Sequence, residues 1–281
     1  MTVSRSTPGG EIIPPVGPAV PTPDYHPTEY PSSEYAPQPT RRSRRSELFA
    51  APATYILVGI NVVVFLWMFW SGVSFQSSQD LIRFGANQPS LVLDHGQWYR
   101  LMTAIFVHAG WIHLATNMWC LWNLGMLGEP LLGPLGLCAV YVLTGVAGNL
   151  LSMAWNLSQN QDPPGVGASG AVFGIAGILI VLLSNRRLPI PWEELSRLRR
   201  SVVQFAILNL VIGGATLFTG NFIRIDNFAH IGGFVSGLAL GPPLVPKMTS
   251  GRERYLGRQK IVFALAALVL SLFGYLIAGF R

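Results

Sequence analysis

The chain has 281 residues, half of them apolar and only 11% charged, against roughly 25% charged in an ordinary soluble domain. That balance argues against a water-soluble enzyme and for an all-α polytopic membrane protein, because the mean hydropathy of +0.41 already averages over a polar N-terminal stretch. The net charge of +6 sits in short basic clusters beside apolar runs, where Lys and Arg set topology and meet anionic lipid headgroups, so nucleic acid is not an expected partner. Cys120 and Cys138 lie inside apolar runs without metal-ligand spacing, so neither a disulfide framework nor a zinc site is implied.

Residues 1–46 hold ten of the 21 prolines together with Ser, Thr and acidic residues. Such a composition buries too little apolar area to offset its ordering entropy, so a disordered cytoplasmic tail is expected. Its loose repeat of Asp24-Tyr25, Glu29-Tyr30 and Glu34-Tyr35 reads as solvated linker. No apolar h-region follows Met1, so no cleavable signal peptide is expected.

Seven apolar runs follow, near Ala53–Val73, Trp111–Leu127, Leu135–Trp155, Ala168–Leu183, Val202–Phe218, Phe228–Val245 and Ile261–Phe280, each read as a membrane span. The fourth and fifth are short and interrupted by glycine or polar residues, which places them inside the bundle rather than against lipid. Residues 47–246 thus form a six-span core, and 247–281 a basic loop with a seventh span. Fifteen of the nineteen Lys and Arg residues fall in the tail and in the connections after spans four and six. Positive loops stay cytoplasmic, so the N-terminus is expected inside and the C-terminus outside, with spans two, four and six all running inward.

Ionisable and strongly polar residues inside spans are costly and therefore mark sites. Span two opens Trp111-Ile112-His113 and continues to Asn117, an i, i+4 pair stacked on one helical face. Span four is entered through Gly167-Ala168-Ser169-Gly170, and span six opens Ala229-His230 before Gly233, Gly237 and Gly241. The topology puts these polar groups at one depth, within about two turns of the outer face. A serine hydroxyl becomes a nucleophile when a neutral imidazole takes its proton, which assigns Ser169 and His230 as a dyad. The oxyanion needs aimed donors, here the Ser169 N–H at a helix N-terminus together with the His113 and Asn117 side chains. Gly170, Gly174, Gly233 and Gly237 are small-xxx-small positions that let two backbones approach. Phe173, one turn after Ser169, is placed to pack on the His230 ring. Asp226, four residues before His230, reads as a cap rather than a carboxylate orienter, and His108 as structural.

The stretches GQWYRLMTAIFVHAGWIHLATNMW, GASGAVFGIAG and AHIGGFVSGLALG together resemble the rhomboid family of intramembrane serine proteases, over most of residues 80 to 241. The resemblance implies a six-helix core with one extra C-terminal helix, Ser169 as nucleophile, His230 as general base, and His113 and Asn117 as the oxyanion pair of an H-x-x-x-N motif. It makes Gly167, the first glycine of G-x-S-G, a further oxyanion-stabilising position, and Trp98 and Arg100 a tryptophan and arginine of the hairpin after span one, here separated by Tyr99. The implied activity is endopeptidase cleavage of single-pass membrane-protein substrates at helix-weakening residues near the outer face, with water as second reactant. No metal or organic cofactor is called for. A bacterial plasma membrane fits the basic inner loops. An inactive rhomboid-like scaffold is the alternative, although it would be expected to lack the serine or the histidine. A transporter would need an internal repeat and charges near mid-bilayer, and an α/β-hydrolase would need a strand before the serine.

Overall fold

The computed structural model describes residues 51–186, 188, 190–216, 226–245 and 251–279. The tail and its tyrosine repeat, Arg41 to Arg45, Arg187, Arg224 and Lys247 lie outside the described residues, as do His26 and the end of the fifth run. Ten helices and no strand are found among the described residues: α1 Pro52–Trp70, α2 Ser78–Arg83, α3 Pro89–Leu93, α4 Arg100–Thr103, α5 Trp111–Leu132, α6 Pro134–Ser158, α7 Ser169–Leu182, α8 Trp192–Thr216, α9 Asn227–Leu244 and α10 Arg252–Gly279. The seven apolar runs correspond to α1, α5, α6, α7, α8, α9 and α10. Helices α2 to α4 form a hairpin segment between the first two.

Length and composition make α1, α6 and α10 sufficient for a bilayer span, while α7 is a shorter apolar helix. Helices α5 and α9 carry histidine, asparagine, glycine and proline, so their apolar signal is diluted by the residues that make a site. At 14 residues, α7 is about 21 Å long, against roughly 30 Å of hydrocarbon. Its buried positions run almost without a break from Gly170 to Leu179, because it stands at the centre of the bundle with α9 and α6 as its main neighbours.

The packing of α7 on α9 is set by glycine. A Cβ added at Gly233 would overlap the carbonyl oxygen of Gly170, and one at Gly237 would overlap that of Gly174. Gly241 meets Val181 in the same register, an added Cβ falling 2.5 Å from the valine Cβ. The two helices therefore run parallel at backbone contact, which only glycine permits. Helix α5 runs the same way, with His113 beside Gly167 at one end and Gly128 facing Ile175 and Leu179 further along. We call the end at which α5, α7 and α9 begin the site end.

Two expectations are corrected. The fifth span is peripheral rather than interior: Ile207, Leu208, Val211 and Ile212 of α8 are exposed while Leu195, Val202 and Ala206 are buried, as expected of a helix covering one side of a finished core. Its helix also begins at Trp192, ten residues before the apolar run, as α10 begins at Arg252 ahead of Ile261. Charged first turns continue the backbone hydrogen bonds beyond the apolar stretch, so hydropathy marks the apolar part of a helix and not its ends.

Candidate active site

Ser169 is the first residue of α7, and Gly167, two residues before it, has φ +120°. An L side chain would be strained there, and a Cβ would also stand 2.7 Å from the Nε2 atom of His113. The glycine is thus required twice, by the turn and by the imidazole lying against it. The Gly167 N–H donates to the Ala104 carbonyl at 2.9 Å, and the Ala168 N–H donates to Nε2 of His108 at 3.5 Å. Both N–H groups before the serine are occupied, so that of Gly167 is not free for the oxyanion role expected of it, whereas that of Ser169 has no acceptor among the described residues. It sits at a helix start, where N–H groups lack intrahelical partners.

His230 lies in the first turn of α9 and is 6% exposed. Its ring stacks on Phe173 with centroids 4.4 Å apart and planes 15° from parallel. Phe173 is four residues after Ser169, so the stack fixes the imidazole beside the face of α7 that carries the hydroxyl. The adjoining backbones touch as well, since a Cβ at Gly170 would fall 3.2 Å from the Ala229 carbonyl oxygen. Nδ1 of His230 is buried with no hydrogen-bond partner among the described residues. Asp226 does not reach it. Its carboxylate accepts from the Ala229 N–H at 2.9 Å and from the Ser152 hydroxyl, the capping geometry of a helix N-terminus.

His113 accepts at Nδ1 from the Ala109 N–H, 3.3 Å away. Asn117 spends one amide proton on the His113 carbonyl at 2.9 Å, and so keeps one N–H for another acceptor. At the α7–α9 contact the structure therefore sets Gly170 and Phe173 against Ala229 and His230, with Gly167 beside His113; Ser169 begins the same helix α7, and no hydrogen bond joins it to His230 among the described residues. Gly233 and Gly237 hold that contact from the α9 side. Trp98 and Arg100 stand apart from it. The Arg100 guanidinium donates from Nη1 to the carbonyls of Ile82 and Ala86, at 2.7 and 3.0 Å, and from Nε to Gln97 at 2.6 Å. Trp98 packs against Gly274 of α10. Both build the hairpin rather than the site. His108 is fully buried, its Nδ1 3.2 Å from the Phe106 carbonyl, a structural placement beneath the serine turn.

Sequence reasoning passed over Glu129. It is buried at the far end of α5, where its carboxylate accepts from the N–H groups of Ala53 and Thr54 and from the Thr54 hydroxyl, each at 2.8 Å. These donors are the unpaired start of α1. The signal was a single carboxylate in an apolar run next to Pro130, which the cost of intramembrane charge should have flagged. Among the described residues no group of three or more His, Cys, Asp or Glu is arranged to hold a metal, and both cysteines are free thiols.

A short glycine-packed helix bearing a serine at its start, ringed by longer apolar helices, defines an integral membrane protein with a polar site sunk in its bundle. The chain belongs to the rhomboid family: the family model described as Rhomboid domain matches residues 95–247. It is 33% identical over 195 residues to Rhomboid protease GluP of Bacillus subtilis, covering 68% of this chain and 35% of that one. To Rhomboid protease AarA of Providencia stuartii it is 32% identical over 220 residues, 72% of this chain and 76% of that one. RHOMBOID-like protein 7 of Arabidopsis thaliana is 34% identical over 165 residues, 59% and 49% of the two chains. The chain thus spans about a third to a half of the length of GluP and the Arabidopsis protein.

Proposed function

We propose that this protein is an intramembrane serine endopeptidase in which Ser169 and His230 act as a dyad. The observation that carries the reading is the backbone contact of the first turns of α7 and α9, which bear Ser169 and His230 respectively, with Phe173 stacked on the imidazole. Two relatives named as rhomboid proteases support it.

The proposed chemistry follows from the groups present. His230 removes the Ser169 proton as the oxygen attacks a peptide carbonyl carbon, and the carbonyl oxygen becomes an oxyanion. The free N–H of Ser169, the His113 imidazole and the remaining amide proton of Asn117 are the donors available to it. When the intermediate collapses, His230 passes the proton to the leaving amine and the acyl-serine remains. Water, deprotonated by the same imidazole, then hydrolyses the ester, and the serine recovers its proton. The bare Nδ1 of His230 supports a dyad over a triad, since Asp226 is already engaged by Ala229 and Ser152.

The substrate class follows from access. A helix in lipid keeps its backbone closed, so the scissile bond belongs to a single-pass transmembrane segment that unwinds at weak helix formers near the site end. The distribution of Lys and Arg supports a site end facing outward, an inside N-terminus and an outside C-terminus, as in a bacterial plasma membrane. The test is labelling of the full chain in membranes with a fluorophosphonate probe. The expected result is modification at Ser169, lost in Ser169→Ala and strongly reduced in His230→Ala. A chain that folds and takes no label favours the scaffold instead.

A further inference from the structure

The seventh span looks like an addition to a six-span core, and most of it faces outward, with Ile261, Leu265 and Leu268 exposed. Its buried residues are few and fall at two places: Gln259 near one end, Gly274 and Ile277 near the other. Each place is an attachment. At the first, Gln259 donates to the Leu132 carbonyl at 2.8 Å and Arg258 to that of Val245 at 2.6 Å, while the Tyr255 hydroxyl lies 3.2 Å from the carbonyls of Leu131 and Leu244. These carbonyls close α5 and α9, whose last acceptors have no intrahelical donors. The second attachment leads toward the serine.

There, a Cβ at Gly274 would fall 3.1 Å from Cζ3 of Trp98 and 3.5 Å from Cδ2 of Leu150. Ile277 packs in one buried cluster with Val92, Leu101, Leu150 and Met153. Trp98 and Leu101 flank the start of α4, and Ala104, which closes α4, holds the Gly167 N–H. Asn87 of the same hairpin exchanges two backbone hydrogen bonds with Gly165, at 2.9 and 2.7 Å. Arg100 ties α4 to the Ile82 and Ala86 carbonyls, so the hairpin is cross-linked as one body.

We infer that α10 is a positioning element for the serine turn, in which Gly274 and Ile277 seat the hairpin that grips Gly165 and Gly167. This deepens the protease reading and rests on it for its kinetic consequence alone. Bulk at Gly274 pushes Trp98 and Leu101 away from α6 and α10, and Ala104 carries the displacement to Gly167, two residues before the hydroxyl. Because a misplaced nucleophile slows the chemical step without removing substrate contacts, kcat falls and KM stays near its wild-type value.

The test uses the full chain in lipid nanodiscs and compares wild type, Gly274→Leu, Gly274→Leu with Trp98→Ala, and Ile277→Ala. Hydrogen–deuterium exchange is read over residues 165–170 and 86–104, together with the rate of fluorophosphonate labelling and kcat and KM on a model transmembrane substrate. Gly274→Leu is expected to speed exchange over 165–170 several-fold and to slow labelling and kcat by about tenfold, leaving exchange in α8 unchanged. Trp98→Ala in that background returns space to the leucine and restores part of both. Ile277→Ala, which only removes atoms, shows the same pattern more weakly and decides the matter should Gly274→Leu fail to fold. Unchanged exchange over 165–170 in the folded variants overturns the inference, as does faster exchange spread evenly over every helix. The exchange readout stands even if wild type takes no label, an outcome that would remove the protease reading only.

Discussion

A hydroxyl in water is a poor nucleophile, and under the proposed dyad the groups around Ser169 are what would activate it. The imidazole is held by a ring stack with Phe173 rather than by a carboxylate, so orientation comes from packing. Ser169→Ala is expected to abolish cleavage of a model transmembrane substrate while leaving the thermal unfolding midpoint within a few degrees, since it removes one oxygen from a half-buried position. Substantial remaining turnover would remove the serine from its role. Asn117 has one proton committed to its own helix and one free, and Asn117→Ala is expected to lower kcat by about 10²-fold with KM nearly unchanged if the free one meets the oxyanion. An unaltered kcat would reduce it to a packing residue.

At the level of helices, the contact between α7 and α9 depends on the missing side chains of Gly170, Gly174, Gly233 and Gly237. A Cβ at Gly233 has only the Gly170 carbonyl oxygen to displace, which is backbone and cannot turn aside. Gly233→Val is therefore expected to force the helices apart, to lose probe labelling and to lower the unfolding midpoint. At Gly59 of α1, which has open space beside it, the same change is expected to cost little in either measurement. Equal tolerance at the two glycines would contradict the proposed close approach. The hairpin segment matters by the same logic, since Asn87 and Ala104 beside its short helices grip the serine turn through backbone hydrogen bonds that no periodicity in the chain announces.

For the molecule as a whole, the end opposite the site is closed by Glu129 and by α10, which supply acceptors and donors to buried and half-buried helix ends. Removing the Glu129 carboxylate leaves two buried N–H groups and a hydroxyl without partners. Glu129→Ala is expected to destabilise the fold by on the order of 3 kcal/mol, read as an earlier unfolding transition, with Glu129→Gln losing less because its amide oxygen still accepts. Loss of activity in Glu129→Ala without any loss of stability would show that the anchor does something other than hold α1. Orientation is testable at the same scale. A reporter enzyme that matures only outside the cytoplasm is expected to be active when fused after Arg281 and silent when fused after Ser250, and the reverse would invert the proposed topology.

Much was open to reading along the chain because the bilayer imposes a local code: long apolar runs, basic flanks, and polar residues too costly to be accidental. That code sufficed for the all-helical class and for placing a helix on each of the seven apolar runs, and it is also the source of the proposal for His113, Asn117, Ser169 and His230. It placed the fourth helix inside the bundle, where α7 stands, but it did not separate the fourth from the fifth. The fifth run was expected inside and lies at the edge, because burial depends on what surrounds a helix and not on its own hydropathy. Glu129 meeting the start of α1, His108 beneath Ala168, and α10 against Trp98 pair residues far apart in the chain, and only folding brings such groups within hydrogen-bond or van der Waals reach. The proposed chemistry rests on residue types at local spacing, whereas the contacts that hold those residues came from the packing of distant segments, because only folding brings residues far apart in the chain into contact.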